Sequence, residues 1–239
     1  MSDGNQNRQP RKPNALSEYK LRLVGDPVNG AKRAPTLGFS VNKNQPQIDV
    51  RTNVEGDKDY GRISAKLDSP TFFAILALVE QMADPSTPPG TKQMVKNKAT
   101  RFLNGRRSDP MLDTTVIVGR DNEGVVFIGV TSWEKERPII KFPFRPSIMH
   151  ELVDASGTPV PLSKVSELYA RGWCQNMYNL VPHVLYAEYV EPPPRDGAGG
   201  GGGGRPQGGG NRGGYGGGYG GNAGGSSGGG GFPDDDFPM

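Results

Sequence analysis

Few side chains in this sequence are spaced for covalent or metal chemistry. Its two histidines, His150 and His183, have no Cys, His or acidic neighbour at metal-ligand spacing. Cys174, the only cysteine, falls inside a helical pattern and reads as packed rather than nucleophilic. There is no Gly-x-Ser-x-Gly elbow, and no phosphate-cradling glycine loop comes after a strand. Gly-x-Gly-x-x-Gly does match, but inside a glycine tract where any register would. The expectation is a chain that is not an enzyme and that needs no metal and no cofactor.

Cations and rings are better placed. Alternate residues of a strand face opposite ways. If Ile48, Val50, Ile63, Ala65 and Leu67 point to a core, the other face carries Arg51, Arg62 and Lys66. If Val126, Ile128 and Val130 point inward, Phe127, Gly129, Thr131 and Trp133 point outward, with Lys135, Arg137 and Lys141 close by. Lys92, Lys96, Lys98, Arg101, Arg106 and Arg107 form a run with no acid inside it. Such a run is either a solvated loop or a phosphate contact. Cations that track phosphates and rings that stack on bases are the groups a single-stranded nucleic acid requires. The candidate strand-binding residues are therefore Arg51, Arg62, Lys66, Arg101, Arg106, Arg107, Phe127, Trp133, Lys135, Arg137 and Lys141. The competing reading makes Phe127 and Trp133 a second core layer beneath a terminal helix.

Periodicity gives the elements that must hold these residues. Tyr19 to Val24, Thr36 to Lys43 and Gln47 to Thr52 alternate as strands, with a turn at Asn44-Gln45-Pro46. Arg62 to Leu67 is a further strand. Asp68-Ser69-Pro70 then starts a helix, with Ser69 as N-cap and Phe72, Leu76, Val79 and Ala83 as its apolar stripe. The order returns in Thr115 to Arg120, Val125 to Trp133 and Ile139 to Phe144, and then a short helix opened by Arg145-Pro146-Ser147. Leu162 to about Leu180 reads as a helix and Val184 to Val190 as a closing strand. The fold class is α+β, antiparallel sheets with helices, arranged as two strand-rich ββ(β)α repeats at 15–90 and 100–157, closed by 162–190.

Composition breaks near residue 195. From there to Gly231 the chain is mostly glycine, with too little apolar surface to offset the entropy of ordering. Residues 1–14 read as a flexible basic arm, 15–191 as the binding domain, 192–233 as a disordered linker and 234–239 as an acidic tip. The whole chain carries +3; residues 195–239 hold three arginines and four aspartates, which leaves +4 on the rest. One cysteine excludes an internal disulfide framework, and the polar start lacks a signal peptide's apolar core. No segment has the length of an apolar membrane helix. The expected compartment is the cytoplasm, with no membrane partner.

The tip reads Asp234-Asp235-Asp236-Phe237-Pro238-Met239. Three carboxylates would steer it to a basic surface, Phe237 and Met239 would enter an apolar pocket, and Pro238 limits the conformations lost on binding. The tether before it spans about 30–37 Å as a random coil. This tail resembles that of bacterial and phage single-stranded DNA-binding proteins, in which a glycine-rich linker ends in aspartates, an apolar residue, proline and phenylalanine. Met239 stands where that family has phenylalanine. The resemblance implies a protein that coats single-stranded DNA in replication, recombination and repair. It also implies recruitment of polymerase, helicase, nuclease or primase partners, in a bacterial cytoplasm or phage-infected cell. In element order the body looks like the Whirly fold, whose members bind strands across sheets, often as homo-oligomers. An OB-fold β-barrel with added helices is the alternative architecture. Rival functions are an RNA-binding or RNA-chaperone protein using Arg212-Gly213-Gly214-Tyr215, and a transcriptional coactivator or scaffold.

Overall fold

The structure is a computed structural model that describes residues 14–191 except 104, 135, 136 and 138. The expected basic arm at 1–13, the linker, and the tip residues Asp234, Asp235, Asp236, Phe237, Pro238 and Met239 lie outside the described residues, as does Lys135.

The architecture is α+β, built from two antiparallel sheets and two long helices. Strands β1 (Leu23–Val24), β2 (Thr36–Asn42), β3 (Gln45–Arg51) and β4 (Arg62–Lys66) form the first sheet in sequence order. Between β3 and β4, the single turn α1 (Lys58–Gly61) is left-handed at Asp59 and Tyr60. Helix α2 (Ser69–Met82) comes after the first sheet. A second sheet of order β10-β9-β8-β5 is built from β5 (Lys92–Ala99), β8 (Met111–Arg120), β9 (Val126–Ser132) and β10 (Ile140–Pro143). The small ladder of β6 (Phe102–Leu103) and β7 (Arg106–Arg107) lies between β5 and β8. Helix α3 (Leu162–Ala187) completes the fold. Each half is thus a four-stranded antiparallel sheet and then a helix.

Alternation sends one face of each sheet inward. Leu37, Phe39, Val41, Ile48 and Val50 of the first sheet and Val116, Val118, Val126, Ile128 and Val130 of the second are buried, as are Phe72, Ile75, Leu76 and Val79 of α2. Rings of Phe39, Phe72, Phe144 and Trp173 meet edge-on or tilted at 5.1–5.3 Å, joining both sheets to both helices. The sheets also meet at their edges, where the Asp26 N–H donates to the Lys141 carbonyl at 2.8 Å. Cys174 is buried in this core, and burial together with the Glu80 carboxylate pushes its thiol up to about 12.

Several expected elements differ. The first hairpin turns at Lys43 and Asn44, both at positive φ, so β3 begins at Gln45 and runs through Pro46. Asp68, not Ser69, caps α2 by accepting from the Thr71 N–H at 2.7 Å. Tyr19–Leu21 is a 3₁₀ turn, and only Leu23 and Val24 pair as a strand. The second half starts earlier than expected, because Lys92–Ala99 is a strand rather than a loop. No helix opens at Pro146: Ile148 and Met149, its expected stripe, are 98% and 80% exposed. The expected closing strand is instead the end of α3, where Met177, Val181 and Val184 continue a helical burial period through Pro182. Among the described residues no helix is long and apolar enough to cross a membrane.

Candidate nucleic-acid interface

The outer face of the second sheet is assembled by its register. Lys92, Gly119, Phe127 and Pro143 form one cross-strand row; Met94, Ile117, Gly129 and Lys141 form the next; Lys96, Thr115 and Thr131 form a third. Helices α2 and α3 pack on the opposite, inner face, where Ser166 Oγ accepts from the Val126 N–H at 2.9 Å. A second core layer over Phe127 and Trp133 is therefore absent among the described residues. Phe127 is half-buried, Met94 is 57% exposed and Trp133 is 46% exposed.

Gly119 makes room for the ring of Phe127. A Cβ there would lie 2.7 Å from Phe127 Cζ and 2.9 Å from Cε1, whereas one on Gly129 would meet the ring only at an ordinary contact distance of 3.7 Å. The ring therefore lies over backbone that no side chain covers. Lys141 Nζ sits 4.8 Å from its centroid and also binds Asp121 at 2.7 Å. Burial alone would raise the Asp121 carboxyl. Bonds from Lys141 and from the Val125 and Glu123 N–H groups outweigh that and hold it below the usual range. At the far end of the face, the Arg101 guanidinium stacks 4.0 Å from the Trp133 ring and binds Asp113 at 3.1 Å. Lys92 and Lys96 are exposed with no ion-pair partner among the described residues.

The structure disperses the remaining candidates. Arg51, Arg62 and Lys66 lie on the outer face of the first sheet, where Arg51 opposes Arg62 and Lys66 opposes Gln47. Arg62 is bound to Asp49 through two nitrogens at 2.6 and 3.1 Å. Arg106 and Arg107 are exposed on β7, away from both sheets. Arg137 is not a surface cation, contrary to expectation. Its side chain is 6% exposed and makes a two-point ion pair with Asp57, both contacts at 3.0 Å. It also donates to the carbonyls of Lys58 at 2.8 Å and Arg62 at 3.1 Å, so it ties the left-handed turn α1 to the connection between β9 and β10. Burial would raise the Asp57 carboxyl, but Arg137 and the Thr52 hydroxyl hold it below its ordinary value.

A crevice of about 250 Å³ runs between the two sheets, lined by Arg62 and Ser64 on one side and Thr114, Ser132 and Trp133 on the other. Arg62 and Trp133 therefore face one crevice from opposite sides. Sequence reasoning missed Lys92, Met94 and Lys96 as members of the face; the signal was their two-residue spacing. His150 and His183 are exposed, and no group of three potential ligands could hold a metal among the described residues. The chain matches no known protein family, no curated protein and no solved structure.

Proposed function

We propose that this chain is a non-enzymatic single-stranded DNA-binding protein that coats exposed strands during replication, recombination or repair, with little sequence preference. The observation that carries the reading is the uncovered outer face of the second sheet. It sets rings at Phe127 and Trp133 among Lys92, Lys96, Lys141 and Arg101. Rings stack on any base, and ammonium groups displace counterions from phosphates, so affinity falls steeply with salt. The arrangement of each half, four strands and then a helix, supports a Whirly-like body over an OB-fold barrel. The glycine-rich segment and Asp234-Asp235-Asp236-Phe237-Pro238-Met239 support recruitment of replication and repair proteins such as a polymerase, helicase, nuclease or primase in a bacterial or phage-infected cytoplasm. Binding and recruitment then occupy separate parts of the chain.

The test is a titration of the full chain with matched single-stranded DNA, single-stranded RNA and duplex DNA. Single-stranded DNA binds tightest and quenches tryptophan fluorescence through Trp133, and the quench is lost in Trp133→Phe because Trp173 is 8% exposed. A strong RNA preference would instead favour an RNA chaperone, and equal duplex affinity a coactivator. A chain ending at Pro194 binds single-stranded DNA at least as tightly as the full chain; loss of binding would move the site into the tail.

A further inference from the structure

The long hairpin between Lys92 and Arg120 has a part that belongs to neither four-stranded sheet. Strand β9 pairs with β8 only from Thr114 onward. Beyond that point the register of β5 and β8 shifts at Asn97/Lys98, and the chain continues into β6 and β7, paired with each other alone. A β-bulge bends the strand that carries it and re-aims the residues beyond the bend. Between β6 and β7 Gly105 stands at φ +77°, a conformation that glycine adopts without steric cost.

Its surface is not that of an inert loop. Phe102 is 79% exposed, Met111 44% and Leu112 42%. Lys98, Arg106 and Arg107 are exposed beside them, against the acids Asp109 and Asp113. The root is fixed where the fold needs it: Arg101 exchanges backbone and hydroxyl bonds with Ser108 at 2.7 and 2.9 Å and binds Asp113 at 3.1 Å. The same Arg101 lies over Trp133, so the arm's cations continue directly from the ring at the end of the sheet face.

We infer that this arm is a second contact for the strand, which leaves the sheet at Trp133 and is clasped by Phe102, Arg106 and Arg107. The inference rests on the proposed strand binding and adds its path and extent. A polyanion with exposed bases suits an arm whose ladder sets Phe102 directly across from Arg107, ring and guanidinium on one face, with Arg106 next along the strand; Phe102 stacks and the arginines neutralise phosphates.

The experiment compares the full chain with Phe102→Ala and with Arg106→Ala/Arg107→Ala on oligo(dT) of increasing length. On strands only long enough for the sheet, all three bind alike. On longer strands the parent gains affinity; Phe102→Ala loses about tenfold and dissociates correspondingly faster. The double variant lowers the slope of log K against log salt by about 1.4. Equal affinity and slope at every length overturns the arm contact while leaving strand binding in place. Failure of the parent to bind any single strand overturns both. A change in mass by light scattering without DNA, in either variant, would show that the arm contacts a second copy of the chain, which also overturns it. Unchanged thermal midpoints establish that the variants fold.

Discussion

The two outer sheet faces share a scaffold and differ in the groups that stand at their centres. On the first, the centre is a carboxylate. Asp49 accepts from Ser40 at 2.5 Å, Ser64 at 2.6 Å and Arg62 at 2.6 Å. Burial raises its carboxyl, but those three partners outweigh it and leave it below the ordinary range, so it is ionised at neutral pH. On the second, the middle row carries Lys141, whose ammonium reaches the Phe127 ring of the neighbouring row, and Lys92 stands in that ring's row on the next strand but one. The first centre is a carboxylate already saturated by Ser40, Ser64 and Arg62 and offers no ring, whereas the second offers a ring beside Lys92, which has no ion-pair partner among the described residues. Sheet geometry alone therefore does not distinguish the two faces; the residues that alternation turns outward do.

The largest expected effect falls on neither face. Arg137→Ala removes one partner of a buried pair and strands the Asp57 carboxylate, which costs about 3–5 kcal/mol of stability. Urea unfolding checks this, and the folded fraction should keep its affinity for single-stranded DNA. A loss of affinity in the folded variant would return Arg137 to the interface. The pair also predicts a pH dependence. The folded pKa of Asp57 is depressed, so its contribution is complete above the unfolded-state value near 3.9 and is lost as pH falls through the folded value. The acid decline in unfolding midpoint is shallower in Arg137→Ala.

The comparison of faces breaks or holds on the next two changes. Phe127→Ala/Trp133→Ala weakens single-stranded DNA binding by about 10²-fold, at the modest end of stacking losses for two bases. Arg51→Ala/Lys66→Ala, on the first face, leaves it within twofold. If the second pair costs more than the first in a fluorescence titration, the interface has been placed on the wrong sheet. Lys92→Ala/Lys96→Ala comes next, lowering the salt slope by about 1.4 and the affinity about tenfold at low salt.

Strands were legible where apolar residues alternate with polar ones, and both inner faces obey that rule: Val126, Ile128 and Val130 are buried and Phe127 is turned outward. Strand β5 was harder to see because its apolar content is little more than Met94 and Val95; it is an edge strand and needs few buried residues. The end of α3 misled for the opposite reason. Val184, Tyr186, Tyr189 and Val190 have strand-like propensity, yet only Val184 is buried, in step with Val181 and Met177. Tertiary burial overrides propensity there. Arg137 was illegible because its partner Asp57 is 80 residues away and nothing local distinguishes a clamping arginine from a solvated one. The ring contact between Arg101 and Trp133 was illegible for the same reason.

The smallest change tests the face most closely. Gly119 has no left-handed backbone to protect, so alanine is conformationally acceptable, and replacing a strand glycine gains about 0.5–1 kcal/mol. Its Cβ, however, would stand 2.7 Å from Phe127 Cζ, 2.9 Å from Cε1 and 3.1 Å from Lys92 Cβ. The ring is the part free to move, because its outer side meets no packed element among the described residues. Gly119→Ala thus leaves the unfolding midpoint nearly unchanged while tilting the ring away from the sheet and from Lys141. If Phe127 must lie along the sheet to stack on a base, single-stranded DNA affinity drops about threefold, a small part of the roughly 1–3 kcal/mol a stacked ring contributes. If the ring only covers bare backbone, affinity stays the same and Phe127→Ala lowers stability instead. A titration and a melting curve on these two variants separate a ring that binds from a ring that merely packs.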